Sequence, residues 1–392
     1  MKGLNRTIVT LLTFIILTLS TTGCWNRREL PSLGIVMGVG MDKVEDSDKL
    51  EVTAQIIKTS ELKSSSEGGA GGSKADAYWN AKNTGDSMFS IIRDFTHKSN
   101  RKLYWPHNKV IIFGHSLAEQ GVEEHLDFFV RDQETRLEVL MLVAEDKASE
   151  VLDVNPKLEK IPSVGISDLM DSQAANSQTT LIQLNQFTTR LMSRTTAPIA
   201  PIIQILGKGD QKELAVSGTA VFKKDKLVGQ MNKKETRGLL WVIDKVKSGI
   251  IDISCPDQDG TVNLEIIHSK SKITSEINDN KPYIKIEVKE EGNLASQTCS
   301  ANLVSPDAVA TLEELESAAI EDEIKSALSK AKKLNADIFG FGEIMHKKHP
   351  KEWWEMKDNW EEIFPDLEVE IVVDAKLRRS GTIKRPAAAE KE

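Results

Sequence analysis

Strand-like and helix-like patterns alternate along most of this 392-residue chain, and that alternation constrains its fold more than any other feature. The apolar run Leu33–Met41 and the alternating run Leu50–Thr59 predict two strands that pair with each other. Apolar residues recur at helical spacing after Thr84, the predicted N-cap, and again over Ala308–Leu334. Because several neighbouring strands are predicted to pair as hairpins while helices occur between them, we predict an α+β fold built from mixed or antiparallel sheets with packed helices.

The remaining elements follow from the same periodicities. Further strands are predicted at 109–114, 137–144, 214–223, 226–230, 261–274, 283–290 and 367–377, and further helices at 116–130, 181–191 and 235–247 and in a tryptophan-rich segment near 353–360. The stretch Thr196–Leu206 contains Pro198 and Pro201, which cannot donate a backbone hydrogen bond. It is therefore predicted to be an edge strand or an extended connection.

The first two dozen residues predict export and attachment to a membrane. Lys2 and Arg6 precede the apolar run Ile8–Leu19, which has the length of a signal-peptide core and is too short to span a bilayer. Small residues then lead to Gly23-Cys24, the lipobox pattern of bacterial lipoproteins. We predict cleavage before Cys24 and lipid on that cysteine, with an uncleaved N-terminal anchor as the alternative.

Length and turn residues indicate more than one domain. The predicted division is a signal peptide at 1–23, an N-terminal region at 24–206 that holds two α/β domains, a C-terminal α/β domain at 207–380 and a disordered tail at 381–392. Within the N-terminal region, residues 64–76 are rich in glycine and serine and predict a flexible loop. This loop lacks the Gly-Lys-Ser/Thr ending of phosphate-binding loops.

Two cysteines follow Cys24 in the sequence, Cys255 and Cys299. In an exported protein they could form a disulfide bond, since the segments between them predict a hairpin that would bring them close. Two buried free thiols are the alternative. Neither cysteine has a histidine or acidic neighbour that would indicate a nucleophile.

Composition and motifs argue against several function classes. The formal net charge of -8 disfavours nucleic acid as a partner. The seven histidines include no Glu-flanked zinc pair, and the lysines within His346–His349 would repel a cation. No Gly-x-Ser-x-Gly motif is present. Trp353, Trp354, Trp360 and Phe364 favour core packing over a ligand cage. We therefore predict a protein that is not an enzyme and has no metal or cofactor.

Several blocks of the sequence resemble one known family in their order. They are 24–30 (CWNRREL), 33–36, 40–43, 107–114, 118–121, 129–136, 218–223, 226–229, 235–241 and 337–342, followed by Trp354, Trp360, Phe364-Pro365 and the last strand to Gly381. Together these blocks resemble the Ger(x)C lipoproteins, the C subunits of spore germinant receptors. The resemblance covers nearly all of the chain after Cys24.

The resemblance implies a fold, a location and partners. It implies three mixed α/β domains and a lipoprotein on the outer face of the spore inner membrane. It implies that the protein works with a polytopic A subunit and a transporter-like B subunit in the response to small nutrients. Cys24 matches the residue that carries N-palmitate and S-diacylglycerol, and no catalytic residue carries over. We expect the long helix and exposed faces near the N-terminal blocks to contact partners.

Two other function classes remain open at the sequence level. A substrate-binding lipoprotein of an envelope transporter would share the lipid anchor but should show two similar lobes. A lipid-anchored envelope enzyme would need a nucleophile, a metal site or a phosphate site. Neither an internal duplication nor such a motif is visible in the sequence. Whether this chain itself binds the nutrient is not determined by the sequence.

Overall fold

The computed structural model of this protein describes residues 7–8, 10–14, 32–63, 76–279 and 281–379. The predicted lipid site Cys24, the glycine-rich loop except Asp76 and the tail 381–392 lie outside these residues. Within the described part, helices and strands form two mixed sheets with packed helices, which confirms the α+β fold class. The predicted domain boundaries stay a prediction.

The larger sheet contains nine strands in the described residues. They are β1 (Leu33–Lys43), β2 (Leu50–Ile57), β3 (Tyr78–Gly85), β4 (Lys102–Tyr104), β5 (Val110–Phe113), β6 (Leu140–Ala144), β7 (Ile199–Leu206), β8 (Glu213–Lys223) and β9 (Lys226–Met231). Their order is β3-β2-β1-β5-β6-β7-β8-β9, with β4 paired to the start of β1. The predicted pairing of β1 with β2 is confirmed and is antiparallel, whereas β1, β5, β6 and β7 are parallel to one another. The sheet continues across the predicted boundary at 206/207.

The smaller sheet has the order β10-β11-β12-β13, with strands at Gly249–Ser254, Thr261–Asn278, Lys281–Gln297 and Glu368–Arg379. β11 and β12 form the predicted hairpin, which pairs Val262 with Gln297 at one end and Asn278 with Lys281 at the other, with two register shifts between Asn263 and His268. β13 runs parallel to β12. The long helix, Pro306–Leu334, packs on β13, on β10 and on the helix Lys233–Val242. Its predicted role as a partner surface is therefore limited to the face that does not contact the sheet.

The described α-helices are mostly short and cover the sheets. They are Thr59–Lys63, Met88–Asp94, His115–Gln120, Glu123–Arg131, Ala148–Leu152, Pro162–Ser172, Leu184–Leu191, Lys233–Val242, Pro306–Leu334, Phe341–Lys348, Pro350–Met356 and Trp360–Ile363. Ile166 and Met170 of one helix pack with Val110 and Leu142 on one face of the parallel strands. The opposite face joins a core that extends into the smaller sheet. Every residue of β5 and β6 is buried, whichever face of the sheet its side chain lies on. This is expected for parallel strands that are covered on both faces.

Three local predictions are wrong. Thr84 lies in β3, where it pairs with Glu51, and the helix that follows is capped by Ser87, whose Oγ accepts from Ser90 N at 3.3 Å. The predicted helix 116–130 is two helices because Gly121, with φ of 140°, lies against Asp225 of the β8–β9 turn.

The third wrong prediction concerns the proline-containing strand. β7 lies inside the sheet between β6 and β8 rather than at an edge. Pro201 pairs with Thr219, and the register with β8 shifts between Pro201 and Ile203. Because the ladder is interrupted there, a proline that cannot donate a hydrogen bond is tolerated within an interior strand.

Candidate functional site

The sequence block 337–342 closes around one buried carboxylate, that of Asp337. Its Oδ1 accepts from the backbone N of Gly340 at 2.8 Å and of Phe341 at 3.1 Å, and its Oδ2 accepts from Gly342 N at 2.8 Å and Trp360 Nε1 at 3.2 Å. Burial raises the pKa of Asp337, and these four donors oppose the increase. Asp337 therefore fixes the turn that starts the helix Phe341–Lys348 and joins it to Trp360.

Arg190 connects this turn to the nine-stranded sheet. Its Nη1 donates to Ala197 O at 3.0 Å and to Ile338 O at 2.9 Å. Burial lowers the pKa of Arg190 to about 10, and the negative charge of Asp337 acts in the opposite direction. The two carbonyls belong to segments 141 residues apart, at positions 197 and 338 (338 − 197 = 141). One guanidinium thus holds the two halves of the chain together.

A cavity of about 280 Å³ opens where these halves meet, and we call it the junction cavity. Its lining includes four cations, Arg190, Arg194, Lys223 and Lys224, with the hydroxyls of Ser193, Thr195 and Thr196 beside them. Lys223 is paired with Glu361 at 3.0 Å, and Asp337 is saturated by four N–H donors. Positive charge therefore dominates this cavity, although the whole chain is acidic. Such a lining can hold a small anion.

A second polar pocket, of about 270 Å³, lies at the start of β5 and β6. The resemblance blocks 107–114 and 129–136 contribute His107, Asn108, Lys109 and Arg136 to its wall, together with Glu138 and other residues. The side chain of Asn108 is buried and has no hydrogen-bond partner within the described residues. The lining of this pocket contains two cations, Lys109 and Arg136, and two carboxylates, Glu138 and Asp171, so it lacks the excess of positive charge that the junction cavity has.

The block 235–241 forms a buried ion pair with the long helix. Arg237 donates from Nε to both carboxylate oxygens of Glu323, at 2.9 and 3.1 Å, and from Nη1 to Ile250 O at 2.8 Å. Trp241 Nε1 adds a bond of 2.9 Å to Glu323. A bidentate guanidinium–carboxylate pair is the geometry in which a buried charge is best compensated. These contacts fix the helix Lys233–Val242 against the smaller sheet.

Two other buried carboxyls, Glu290 on β12 and Glu316 on the long helix, have no hydrogen-bond partner within the described residues. Burial, followed by the charges of Glu316 and Glu291, raises the pKa of Glu290 to about 9. Burial and then the charge of Glu313 raise the pKa of Glu316 to about 7. Near neutral pH, protonation therefore removes much of the charge that this pair would otherwise carry.

The structure joins Cys255 and Cys299 by a disulfide bond, with Cα atoms 6.5 Å apart. Cys255 follows β10 and Cys299 follows β12, so the bond spans β11. Both cysteines are buried. That the bond also forms in the exported protein stays a prediction.

Two further sets of candidate residues have clear positions. Trp353, Trp360 and Phe364 are buried, whereas Trp354 is 66% exposed with Lys357 Nζ 3.7 Å from its ring centroid. No cluster of three or more His, Cys, Asp or Glu side chains suited to a metal ion occurs in the described part of the chain. Among those same residues, no helix is both long enough and apolar enough to cross a bilayer.

Sequence reasoning did not identify the junction cavity or the two carboxyls without partners. The residues that line the junction cavity come from positions 190–198, 223–224, 335–337 and 360–364, and only the folded chain brings them together. A signal for Glu316 was present, because Glu316, like the paired Glu323, interrupts the apolar face of the long helix formed by Leu312, Ile320 and Ile324.

Comparison with known proteins gives two family matches that follow each other along the chain. Residues 26–205 match the spore germination protein N-terminal domain, and residues 217–381 match the C-terminal domain described as spore germination B3/GerAC like. Together the matches span nearly all of the chain after Cys24.

Individual relatives align over almost their full length. Spore germination protein KC of Bacillus subtilis (strain 168) is 28% identical, with 93% of each chain covered. Spore germination protein B3 of the same organism is 26% identical over 93% of this chain and 96% of its own. GerQC of Bacillus cereus is 23% identical, with 94% and 98% covered. The crystal structure of the GerBC protein matches with a TM-score of 0.58 at 20% identity, covering 87% of this chain and 96% of that one, which shows a shared fold.

Proposed function

This chain belongs to the Ger(x)C family of spore germination proteins, and from that membership we propose that it is the lipid-anchored C subunit of a nutrient germinant receptor. In this role it couples to membrane-embedded A and B subunits on the outer face of the spore inner membrane. The observation that carries the proposal is the match of both family domains, in order, over residues 26–205 and 217–381.

A lipid on Cys24 would place the folded part of the chain close to its partners. Eight residues lie between Cys24 and Leu33, the first residue of β1, so the start of β1 can lie at most about 30 Å from the anchor. Confinement to the membrane raises the effective concentration of the protein beside other membrane subunits. A coupling subunit can then work through interfaces that would be weak between freely diffusing molecules.

The internal construction of the protein supports a coupling role rather than two independent modules. β8 and β9 follow the first family match, yet they complete the sheet that this match begins. Arg190 and the core that extends through both sheets also connect the halves. A partner that binds one half is therefore held in a fixed position relative to the other half.

A substrate-binding lipoprotein of a transporter is the rival function, and it predicts two similar lobes. The two sheets described here differ, since one has nine strands around a parallel centre and the other has four strands, three of them longer than ten residues. Titration of the full chain with nutrients discriminates between the two functions. Tight, saturable binding of a transported nutrient, with normal germination in the absence of the protein, would favour the rival.

The first experiment substitutes Cys24→Ala in spores and scores two properties together, the nutrient response and the amount of the protein in the inner membrane. We expect loss of the response to at least one nutrient, with the protein released or depleted from the membrane. Asn26→Ala is the matched control, because it changes the residue two positions after Cys24 and keeps the cysteine. An unchanged response with the protein fully detached would refute the tethered-subunit mechanism.

A further inference from the structure

The junction cavity combines a partly buried guanidinium, that of Arg190, with exposed cations, and its chemistry is that of an anion site. Arg190 uses Nη1 for two backbone carbonyls. Its Nε and Nη2 make no hydrogen bond to any residue that the structure describes. A guanidinium has five N–H donors in a rigid planar fork, which matches the oxygens of a carboxylate or a phosphate. The guanidinium of Arg190, which is only partly exposed to water, therefore still has N–H groups that can donate hydrogen bonds to a ligand.

The carboxylates near Arg190 do not use this capacity. Asp337 is occupied by three backbone N–H groups and the indole of Trp360. Glu361 is paired with Lys223. Arg194 and Lys224 are exposed at the cavity and form no ion pair within the described chain. The cavity thus retains positive charge that internal acidic groups do not neutralise.

The position of Lys224 adds a geometric constraint. It lies in the turn between β8 and β9 with φ of 55°, the left-handed region, and it lines the same cavity as Arg194. The hydroxyls of Ser193, Thr195 and Thr196 line the same space. Hydroxyl donors next to cations are the groups that complete the coordination of phosphate or carboxylate oxygens.

We propose that the junction cavity binds a small molecule that carries a carboxylate or a phosphate group. With a volume of about 280 Å³, the cavity suits a small ligand rather than a large one. The anionic group contacts Arg190, Arg194 and Lys224. Because the cavity is lined by residues of both halves of the chain, occupancy strengthens the contact between the halves.

This inference deepens the proposed function. Only its consequence in the spore rests on that function: there, the bound anion would strengthen the contact between the two halves of the receptor subunit. Binding itself is a property of the isolated chain. A binding measurement can therefore succeed or fail whatever the outcome of the Cys24→Ala experiment, and the two proposals are distinguishable.

The test titrates inorganic phosphate, and separately acetate, into the full chain purified in detergent at constant ionic strength. Broadening of the ³¹P line reports phosphate binding, and competition by acetate reports carboxylate binding. The variant is Arg194→Ala with Lys224→Asn, since asparagine tolerates a positive φ. We expect this variant to raise the Kd for phosphate by about tenfold, the loss typical of removing charge-assisted contacts.

The control uses a second cavity that Arg190 also borders. That cavity, of about 340 Å³, carries exposed Lys245 and Lys247, so Lys245→Ala with Lys247→Ala removes the same number of charges elsewhere. The Kd of this control should stay within about twofold of the parent. Equal weakening in both variants would mean diffuse attraction of ions, and it would overturn the proposal, as would absence of binding in the parent chain. Arg194→Ala alone, with an unchanged circular dichroism spectrum, separates lost binding from misfolding.

Discussion

Two glutamates on the same face of the long helix have opposite environments. Glu323 is held by the fork of Arg237 and the indole of Trp241. Glu316, seven residues earlier, is fully buried and has no hydrogen-bond partner in the described structure. Glu290 lies on β12 of the facing sheet, and a side-chain carbon at Gly292 would lie 3.0 Å from Glu290 Oε1 and 3.2 Å from Glu316 Oε1.

The difference shows two ways of keeping an acidic side chain inside a protein. At Glu323 the charge stays and a cation enters with it, so removal of either partner leaves an uncompensated charge. At Glu316 and Glu290 no cation is present among the described contacts, and the raised pKa values favour the neutral acids instead. The first arrangement depends on its partner, and the second depends on pH.

The largest expected effect comes from breaking the ion pair. Arg237→Ala leaves the carboxylate of Glu323 buried without its cation, and we expect the free energy of unfolding to fall by about 3–5 kcal/mol. Urea denaturation followed by tryptophan fluorescence measures the loss. The double variant Arg237→Met with Glu323→Leu should recover most of it, because no unpaired charge is then left in the interior.

A matched surface pair links the same two helices and serves as control. Lys234 and Asp322 form an ion pair with side chains that are 49% and 65% exposed. Lys234→Ala should cost no more than about 1 kcal/mol, since water screens exposed pairs. A loss from Arg237→Ala as small as that from Lys234→Ala would show that the buried pair contributes no special stability.

The pair without partners should give the next largest effect, and it should depend on pH. The folded-state pKa values of about 9 for Glu290 and about 7 for Glu316 lie above the ordinary value of 4.5. Between pH 4.5 and the raised pKa of each group, the folded chain binds more protons than the unfolded chain, so the free energy of unfolding falls as pH rises. This stabilisation is complete below pH 4.5 and is lost as pH rises through 7 and then 9, by up to roughly 1.4 kcal/mol per pH unit for each group.

Glu290→Gln with Glu316→Gln removes this dependence because glutamine does not titrate. We expect the free energy of unfolding of the variant to rise by roughly 4 kcal/mol relative to that of the parent between pH 5.5 and pH 7.5, measured from urea midpoints at each pH. Glu314→Gln, at an exposed position of the same helix, should leave the pH profile of the parent unchanged. Parallel profiles for the parent and the double variant would contradict the raised pKa values.

The sequence predicted the hairpins and the long helix, which depend on residues that are close together in the chain. β1 and β2, the β8–β9 hairpin and the β11–β12 hairpin are close in sequence, and their apolar alternation specifies which faces pair. The long helix was predicted from its periodicity to within two residues at its start. Local pattern was misleading where another segment intervened, as at Gly121, which Asp225 approaches from the β8–β9 turn.

The candidate site depends on contacts that no local pattern contains. Arg237 and Glu323 are 86 residues apart, and Arg190 and Ile338 are 148 apart. The family resemblance marked 235–241 and 337–342 without giving a physical reason for either. The structure supplies one, because Arg237 pairs with Glu323 of the long helix, and Asp337 accepts from the N–H groups of its own turn and from Trp360 Nε1.

Asp337 tests a third environment, in which N–H donors rather than a cation or a proton compensate the carboxylate. Asp337→Asn keeps the shape but replaces one oxygen with an amide NH₂ group, which would face N–H donors from Gly340 and Phe341 or from Gly342 and Trp360. We expect a loss of about 1–2 kcal/mol, smaller than that of Arg237→Ala, because the other oxygen keeps its donors. Urea denaturation measures it, with exposed Asp358→Asn as control. A loss as large as that of Arg237→Ala would mean that the negative charge of Asp337 itself is needed, and its electrostatic partner would then be Arg190, whose pKa it already raises.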